Sequence, residues 1–403
     1  MDALPTVLVK PGEADRVGAG HPWIYQGSIL RLTRPTEDGD IVQVKDHRQR
    51  FLGVGFYNSK SKINVRILAP ERVNVDEAFF EQRIRTALAL RSRHLPGATS
   101  FRAVNAEGDL LSGLVVDKYE EVLVLQTSSL GMDRRKPMIV AALQKIFAPQ
   151  AILERNDIAS RRFEGLPESN GVLAGELPGG SPVVQVRLNG LQFEVDLLGG
   201  QKTGLYLDQQ MNYRRVAELI RGGQVLDGFT FLGGFALHAA RAGAAQVHAI
   251  DQSQEAVAAA SRNAGANGLA ENCSFEAANV FDWLKARTAA KPHEKTVPCF
   301  DGIVLDPPSF TRNRAAVEDA LRGYKEIHLR ALKLLKTGGT LATFCCSHHV
   351  DARTFEEVIL EAAFDARRLL RRVASYCQSP DHPIVPVIPE TEYLKGFAYE
   401  VMR

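Results

Sequence analysis

Hydrophobic residues over positions 1 to about 70 recur at every second position, in short runs separated by turn signals. Pairs such as Pro11-Gly12 and Asp38-Gly39 supply the turns. This pattern predicts a small β-rich module. Its predicted strands are Thr6–Val9, Ile41–Val44, Gly53–Phe56 and Lys62–Ile67.

Residues from about 75 to 195 contain hydrophobic residues both at helical spacing and at strand spacing. Apolar residues at helical spacing predict one helix from Asp76 to His94, and a second helix is predicted over Lys136–Phe147. The Gly- and Pro-rich stretch 164–180 predicts a surface loop. The predicted strands are Phe101–Asn105, Gly113–Asp117, Val122–Gln126, Ala151–Glu154, Pro182–Leu188 and Gln192–Asp196. We expect a small α+β domain here, without a catalytic constellation.

From Leu197 onward, strand patterns alternate with helix patterns. This alternation predicts a doubly wound, mainly parallel sheet whose functional site lies at the carboxyl ends of the strands. The predicted helices are Tyr206–Arg221, Phe235–Ala242, Gln254–Asn267 and Gly323–Leu335. The predicted strands include Val247–Ile250, Cys273–Glu276, Ile303–Leu305 and Thr340–Phe344. Residues 279–282 are expected to be a loop at a strand end, and residues 336–339 a turn before the next strand.

The stretch from Val225 to Asp251 organises this last region. It reads as strand, glycine-containing turn, helix and second strand, with Asp227 at the start of the turn and Asp251 at the end of the second strand. The glycines do not have the G-x-G-x-x-G spacing, and no lysine follows the turn as it would in a phosphate-binding P-loop. A carboxylate at Asp251 can accept both hydroxyls of a ribose. The turn suits S-adenosylmethionine (SAM), which has no phosphate, although an ordinary nucleotide fold remains an alternative.

Two further strand ends carry candidate chemistry. Asp306-Pro307-Pro308 fixes a carboxylate rigidly after a buried strand, and Phe310 could stack on a flat base there. The alternative is an ordinary Pro-Pro strand terminator. Cys346 follows another strand and would be nucleophilic as a thiolate. Its alternatives are an inert buried cysteine or a metal ligand, and the absence of matching ligand spacing disfavours a metal.

Charge and composition limit the kind of partner and the compartment that the protein can have. The formal net charge is +2, so any surface for nucleic acid must be local. The five cysteines have no C-x-x-C spacing, and no run approaches the roughly 20 apolar residues of a membrane span. These features predict a cytoplasmic protein without a membrane anchor. Trp23 beside Arg31 and Arg48 could grip RNA through stacking and phosphate contacts, or Trp23 could be a core residue of a small barrel.

Several motifs in fixed order resemble the RlmI-like family of class I SAM-dependent rRNA methyltransferases. They are HPWIYQGSI, GDIVQV, FLGVGFYN, GQKTGLYLDQQMNYR, VLDGFTFLGGFALHAA, VLDPPSF, GYKEIHLRALKLLKTGG, CCSHHV and DHPIVPVIPETEYLKG. The resemblance covers essentially the whole chain. It implies an α/β protein with an N-terminal β-barrel PUA module at residues 1–72, a central EEHEE-type α+β domain at 73–196, and a Rossmann-like class I methyltransferase domain at 197–403.

The resemblance also implies site residues and partners. Cys346 is expected to be the nucleophile and Asp306 a second catalytic residue of a 23S rRNA cytosine-5 methyltransferase. The RNA-binding candidates are Trp23, Arg31, Arg48 and Phe310. The expected partner is large-subunit rRNA, and a homodimer is one alternative for the assembly. The expected SAM-binding residues are Lys202, Thr203, Gly204, Asp208, Asp227, Gly228, Phe229, Gly233, Asp251, Asn279 and Asp306.

Two positions depart from the family pattern. Asn279 stands where many relatives have an acid that holds the adenine amino group, and its amide oxygen could still accept that bond. Cys345 stands where serine is usual, which places two thiols side by side. Because neighbouring residues on a strand point to opposite faces, only one can face the base, and the register with the family favours Cys346.

The expected reaction starts with addition of the Cys346 thiolate to C6 of cytosine while Asp306 holds N3. His382 or a water molecule could then help to remove the C5 proton. A target base must be unstacked to reach such a pocket. Two alternatives remain at this stage: methylation of a base nitrogen with the DPPSF motif, and a catalytically silent RNA-binding assembly factor.

Overall fold

The protein is described by a computed structural model that covers residues 4–199, 204–220, 222–289, 297–311 and 314–403. The chain divides into two compact units. The first unit contains residues 1–186, 195–207 and 380–392, and the second contains residues 187–194, 208–379 and 393–403. Residues 1–72 and 73–196 therefore share the first unit, apart from 187–194. The proposed boundaries at 72 and 196 stay a prediction.

The first unit begins with a six-stranded sheet in the order β2-β6-β5-β4-β1-β3. Its neighbours pair antiparallel except β1 and β4, which are parallel. Val7, Val42 and Val65 are fully buried in its core. The elements are β1 (Thr6–Val9), α1 (Ala14–Gly18), β2 (Trp23–Tyr25), β3 (Ile29–Leu32), β4 (Ile41–Lys45), β5 (Phe51–Tyr57) and β6 (Ile63–Ala69). All four predicted runs fall on strands. The pattern did not predict the short strands β2 and β3.

A five-stranded sheet in the order β11-β10-β9-β8-β7 follows in the same unit. The predicted loop over 164–180 is wrong in part, because β11 pairs antiparallel with β10. Arg91 of α2 is buried at 1% exposure, where it forms a bidentate ion pair with Asp109. The elements are α2 (Glu77–His94), β7 (Ser100–Asn105), β8 (Leu114–Tyr119), β9 (Val122–Thr127), α3 (Leu130–Asp133), α4 (Lys136–Phe147), β10 (Ala151–Arg155) and β11 (Asn170–Gly175).

A hairpin of β12 (Val183–Leu188) and β13 (Leu191–Asp196) comes next. Its tip, residues 187–194, belongs to the second unit. There Asn263 fixes the tip, because its Oδ1 accepts a hydrogen bond from the Glu194 amide at 2.8 Å.

The second unit is built on a seven-stranded sheet in the order β16-β15-β14-β17-β18-β20-β19. The first five strands are parallel, and β20 is antiparallel to both of its neighbours. The strands are β14 (Gln224–Gly228), β15 (Gln246–Asp251), β16 (Cys273–Ala277), β17 (Phe300–Leu305), β18 (Leu335–Cys345), β19 (Leu370–Cys377) and β20 (Lys395–Val401). The helices are α5 (Gln210–Leu219), α6 (Gly234–Arg241), α7 (Gln254–Ala266), α8 (Val280–Thr288), α9 (Val317–Leu334) and α10 (Ala352–Asp365).

Helices cover both faces of this sheet. Helices α8, α9 and α10 enclose a core with inward residues such as Leu226, Ile303 and Cys345. On the other face, the Phe344 ring stacks on Phe235 of α6 at 5.2 Å between centroids. The doubly wound α/β arrangement predicted from the alternating pattern is confirmed. Short 3-10 turns connect elements at Gln26–Ser28, Ala106–Asp109, Ala159–Glu164, Pro178–Gly180, Leu207–Gln209, Arg314–Ala316 and Pro389–Thr391.

Two local predictions in this unit are wrong. The segment 279–282 was expected to be a strand-end loop, but α8 begins at Val280 because Asn279 caps it. The segment 336–339 was expected to be a turn before a strand, but β18 runs through it from Leu335. Gly338 adopts a positive φ of 80° within the strand, which explains why the Gly-Gly pair looked like a turn.

Candidate functional site

Four chemically active side chains follow neighbouring parallel strands of the second unit. Asp227 lies near the end of β14 and Asp251 ends β15, while Asp306 and Cys346 directly follow β17 and β18. The register pairs Gly228 with both Ile250 and Leu305. Because β15, β14, β17 and β18 are adjacent and parallel, these side chains lie along one edge of the sheet.

The turn after β14 has an unusual backbone. Phe229 and Phe231 adopt positive φ angles of 70° and 51°, a conformation that costs about 1–3 kcal/mol for a residue with a bulky side chain. Hydrogen bonds compensate: the Thr230 amide donates to Ile250 O at 2.9 Å, and the Phe231 amide donates to Asp251 Oδ2 at 3.0 Å. The turn is therefore held in a strained shape by the neighbouring strand.

Asp227 lies beneath this turn at 1% exposure. Its Oδ2 accepts hydrogen bonds from Thr230 Oγ1 at 2.6 Å and from the Ala236 amide at 2.9 Å. Its Oδ1 is buried and has no partner within the described part of the chain. Burial raises the pKa of Asp227 to about 7, and the charge of Asp251 adds to the increase. A buried acceptor without a partner suits a ligand that brings a donor or a positive charge, as SAM does.

The Asp251 carboxylate is half-buried and points back along the turn. Besides the Phe231 amide at Oδ2, it accepts the Ser253 amide at Oδ1 at 3.0 Å. Each carboxylate oxygen has about two lone-pair sites, so each can accept one more donor. Two acceptor sites remain, the number that two ribose hydroxyls would need, and the ribose contact itself stays a prediction.

Asn279 requires a correction. Its Oδ1 accepts hydrogen bonds from the amides of Phe281 at 2.9 Å and Asp282 at 3.3 Å, which caps α8. Both lone pairs of the amide oxygen are thereby occupied. The expected bond from an adenine amino group to this oxygen does not fit, so a ligand contact by Asn279 would have to come from its Nδ2 group.

Asp306 is held by residues that sequence reasoning missed. Gln209 Nε2 donates to Asp306 Oδ2 at 3.0 Å, and Asn212 Nδ2 donates to Gln209 Oε1 at 2.7 Å. Gln209 is 2% exposed and Asn212 is 1% exposed. The signal was available: polar residues in the motif LDQQMN occupy buried positions at the start of α5. We call this chain from Asn212 through Gln209 to Asp306 the Gln209 relay.

Cys346 lies next to the Asp-Pro-Pro segment. Its Sγ is 3.9 Å from Pro307 O, and its side chain is half-buried. Cys345 is fully buried in the core beneath α9 and α10. The two thiols therefore face different surroundings, as the strand alternation predicts. Of these two thiols, Cys346 is the one that combines partial exposure with a position after the end of the strand.

The loop that follows Cys346 is pinned from two sides. Lys395 of β20 donates from Nζ to Ser347 O and Val350 O, both at 2.7 Å. Ser347 Oγ lies 3.0 Å from Ser309 Oγ and 3.2 Å from Tyr324 Oη. These contacts join the loops after β17 and β18, and none of the three partners was singled out from the sequence.

The remaining SAM-binding candidates are spread more widely. Lys202 and Thr203 lie outside the described residues. Gly204 belongs to the first unit, where a Cβ at its φ of 137° would come within 2.7 Å of Val195. Asp208 belongs to the second unit and is 7% exposed, and its Oδ2 accepts from Tyr393 Oη at 2.7 Å.

The glycines of the turn allow close packing. A Cβ on Gly228 would lie 3.1 Å from the Leu305 side chain, and Gly233 needs its positive φ of 89°. A Cβ on Gly234 would come within 2.6 Å of the Tyr213 ring. Side chains at these positions would displace the turn from the end of β14.

Phe310, predicted to stack on a base, packs within the second unit. Its ring centroid lies 4.6 Å from Tyr324 and 5.6 Å from Phe281. The side chain is half-buried against the core. A stacking role would therefore use only the part of the ring that these neighbours leave exposed.

The predicted RNA-binding residues of the first unit have different surroundings. Trp23 is half-buried and donates from Nε1 to Glu107 Oε1 at 3.0 Å, and the guanidinium of Arg66 lies 5.7 Å from its ring centroid. Arg31 on β3 and Arg48 in the turn after β4 are exposed. Trp23 thus has a structural role in packing, which the sequence left as an alternative.

His382, the candidate for helping to remove the C5 proton, belongs to the first unit. It is 2% exposed, and its Nδ1 lies 3.1 Å from Asp381 Oδ1. This satisfied, buried histidine has the character of a structural residue. Across the residues that the structure describes, no cluster of three or more His, Cys, Asp or Glu side chains could hold a metal ion. Within the same residues, no helix is long and apolar enough to cross a membrane.

Comparisons with known proteins agree with this geometry. A family model described as "S-adenosylmethionine-dependent methyltransferase" matches residues 162–389, and one described as "PUA-like domain" matches residues 7–70. The chain is 36% identical over 403 residues to the ribosomal RNA large subunit methyltransferase I of Klebsiella pneumoniae subsp. pneumoniae, covering 99% of each chain. It is 38% identical over 399 residues to the protein of the same name from Shewanella amazonensis, covering 98% of this chain and 99% of the other.

Solved structures share the fold. A methyltransferase complexed with S-adenosylhomocysteine superimposes with a TM-score of 0.82 at 21% identity, covering 98% of this chain and 100% of that one. A SAM-dependent methyltransferase from Streptococcus mutans gives a TM-score of 0.81 at 20% identity, with the same coverage. The fold class expected from the sequence is confirmed.

Proposed function

Because this chain belongs to the SAM-dependent methyltransferase family whose relatives are named ribosomal RNA large subunit methyltransferase I, we propose that it forms 5-methylcytosine in large-subunit rRNA. The family makes it an enzyme that uses SAM. The proposal adds that the methylated base is cytosine, that the methylated atom is C5 and that Cys346 is the nucleophile. The observation that carries it is the position of the Cys346 thiol, 3.9 Å from Pro307 O and directly beside Asp306-Pro307-Pro308.

A nucleophile is needed because C5 of cytosine does not readily attack a methyl donor. In the proposed reaction the Cys346 thiolate adds to C6, and the C5–C6 electron pair becomes available at C5. Bound SAM supplies an electrophilic methyl group. Protonated Asp306 holds N3 and gives it the proton as the thiolate adds at C6. After methyl transfer, a base removes the C5 proton, the C5–C6 double bond forms again and the Cys346 thiolate leaves. N3 then returns its proton to Asp306.

The residues around these two groups position them. The Gln209 relay fixes Asp306 Oδ2, and Lys395 fixes the carbonyls of the loop after Cys346. We assign Asp227 and Asp251 to SAM, since one offers a buried acceptor and the other two acceptor sites for a ribose. Buried, preoriented groups of this kind act without reorganisation at the moment of reaction.

The proposed rRNA substrate indicates the roles of the domains and the compartment. The region matching a PUA-like domain is proposed to hold the rRNA, and a protein that modifies rRNA is proposed to act in the cytoplasm. We propose that residues 1–72 bind RNA, that residues 73–196 form a supporting domain and that residues 197–403 carry out catalysis. The groups assigned to the reaction come from one chain, so the proposed activity does not depend on a homodimer.

The test is to identify the product. Large-subunit rRNA from cells that lack the protein is incubated with purified enzyme and labelled SAM, and the labelled nucleoside is identified by mass spectrometry. We expect 5-methylcytidine at one position, which is also the position unmodified in those cells. Label on an exocyclic or ring nitrogen would replace this proposal by nitrogen methylation at the same Asp-Pro-Pro segment.

A further inference from the structure

An exposed aromatic residue in the first unit lies beside a positive charge. Phe163 lies in the 3-10 turn Ala159–Glu164 and is 62% exposed. The guanidinium of Arg162 lies 5.2 Å from the centroid of its ring. When a partner covers an aromatic ring that is exposed to this degree, apolar surface leaves water and the free energy falls. Binding of such a partner is therefore favoured.

The residues on either side of this pair are buried and charged. Arg161 is 1% exposed, and its Nη1 donates to Thr127 O at 2.5 Å and Asp133 Oδ1 at 2.9 Å. Glu164 is 3% exposed and accepts from Ser61 Oγ at 2.6 Å. Buried, multiply bonded ions hold a backbone rigidly, because breaking one pair leaves the other charge unpaired. The segment therefore presents Arg162 and Phe163 to solvent in a fixed orientation.

The same anchor ties a turn that carries lysines to this segment. Glu164 also accepts from Asn58 Nδ2 at 2.9 Å, so the turn between β5 and β6 is tied to this segment. That turn carries the exposed Lys60 and Lys62. The Lys60 side chain reaches the segment itself, since its Cδ lies 3.0 Å from the Cβ position of Gly165. Asp38, which accepts from the Ser59 amide at 2.6 Å, is a partly exposed acidic residue beside this turn, in addition to the buried Glu164.

We propose that Lys60, Lys62, Arg162 and Phe163 form a binding surface for single-stranded RNA, on which an unstacked base lies on Phe163 and phosphates lie on the lysines. We call it the Phe163 surface. The proposal deepens the proposed function and rests on its RNA substrate. The aromatic ring supplies a stacking platform that any base can use, and three cations match a phosphate backbone. Arg162 can contribute to both interactions because guanidinium groups stack on aromatic rings and pair with phosphates.

The Phe163 surface is distinct from the residues first expected to bind RNA. Arg31 lies on β3, at the opposite edge of the six-stranded sheet from β2. Lys60 and Lys62 lie in the turn that joins β5 and β6. Sequence reasoning missed Phe163 because it lies in a Gly- and Pro-rich stretch, where exposure of a single aromatic residue cannot be recognised from the pattern.

The experiment measures RNA affinity by fluorescence anisotropy. The full chain is titrated into a labelled 12-nucleotide single-stranded RNA of mixed sequence and into the corresponding duplex. Phe163→Ala should weaken single-strand binding by roughly 5- to 150-fold, the range for one stacked base, without changing the salt dependence. Phe163→Trp should restore it. Lys60→Gln with Lys62→Gln should lower the slope of log affinity against log salt by about 1.4.

The matched control is Phe364→Ala. Phe364 is 83% exposed on α10, but its neighbours there include Glu361 and Asp365, both paired with Lys325. This variant should bind RNA as the unmodified chain does. Thermal unfolding checks that each variant is folded, and SAM affinity should be unchanged in all of them.

The outcomes separate the surface from the reaction. Unchanged single-strand affinity in folded Phe163→Ala overturns the proposal and leaves this surface to a protein partner. An equal loss for Phe364→Ala also overturns it, since the effect would then not belong to the Phe163 surface. If Phe163→Ala binds RNA weakly while no 5-methylcytidine is formed by the unmodified enzyme, the surface stands and the proposed reaction fails.

Discussion

Gln209→Leu removes the donor that fixes Asp306. Gln209 Nε2 lies 3.0 Å from Asp306 Oδ2, and removing one partner of a largely buried polar group costs about 1–3 kcal/mol. If that bond holds Asp306 in its reactive position, kcat/KM for RNA should fall by about 5- to 150-fold. Leucine has a similar volume, and Asn212 Nδ2 keeps its second acceptor, Cys377 O at 2.9 Å, so the fold should survive.

The assay is methyl transfer from labelled SAM to large-subunit rRNA, with SAM affinity measured separately by calorimetry. Gln209→Glu should be more damaging, because it places a carboxylate against Asp306. Gln144→Leu, at an exposed position of α4, is the matched control and should be neutral. A folded Gln209→Leu enzyme whose kcat/KM stays within about twofold of the original would refute the positioning role of the relay.

Three further predictions concern the cofactor, the loop and pH. Asp251→Ala should weaken SAM binding by about 1.5–3 kcal/mol in calorimetry, and unchanged affinity would move the ribose elsewhere. Lys395→Met should lower stability by about 2 kcal/mol in denaturant unfolding and reduce kcat, because the carbonyls of Ser347 and Val350 lose their donor; a variant as stable and as active as the original would contradict this. Burial lowers the pKa of His238 to about 3 and of His328 to about 4 from 6.5, so the unfolded chain binds more protons below 6.5. The free energy of unfolding should therefore decrease as the pH is lowered below 6.5, by up to about 1.4 kcal/mol per pH unit for each histidine. His328→Gln should make this dependence on pH less steep.

The hydrogen bonds of His328 fit a neutral ring. His328 Nδ1 donates to Tyr324 O at 2.6 Å, and its Nε2 accepts from Thr343 Oγ1 at 2.8 Å. A second proton at Nε2 would require the Thr343 hydroxyl to accept instead of donate, and it would place a charge in the core. A slope that does not change in His328→Gln would mean that other groups govern acid stability.

The sequence predicted the strands and their carboxyl-terminal residues well, because buried parallel strands are short apolar runs that end in polar groups. Asp227, Asp251 and Asp306 were found in this way. Asn279 was harder, since the same residue type caps helices and binds ligands, and only the structure shows that its oxygen caps α8.

Contacts between residues distant in the chain could not be predicted. Gln209 and Asp306 are 97 positions apart, and Lys395 lies 48 positions from Ser347. No local period marks such pairs, because each depends on the order of strands in the sheet. The same limit applies to Phe163, whose exposure follows from how its neighbours are buried.

The most direct test of the account is covalent trapping at Cys346. Large-subunit rRNA containing 5-fluorocytosine at the target is incubated with enzyme and SAM, and adducts that survive denaturation are mapped by mass spectrometry. After methyl transfer, C5 carries fluorine and methyl but no proton, so the enzyme cannot be released. The unmodified enzyme and Cys345→Ser should form a SAM-dependent adduct at Cys346, and Cys346→Ala should form none. An adduct at another residue, or methylation by Cys346→Ala at a near-normal rate, would contradict the cytosine-5 mechanism.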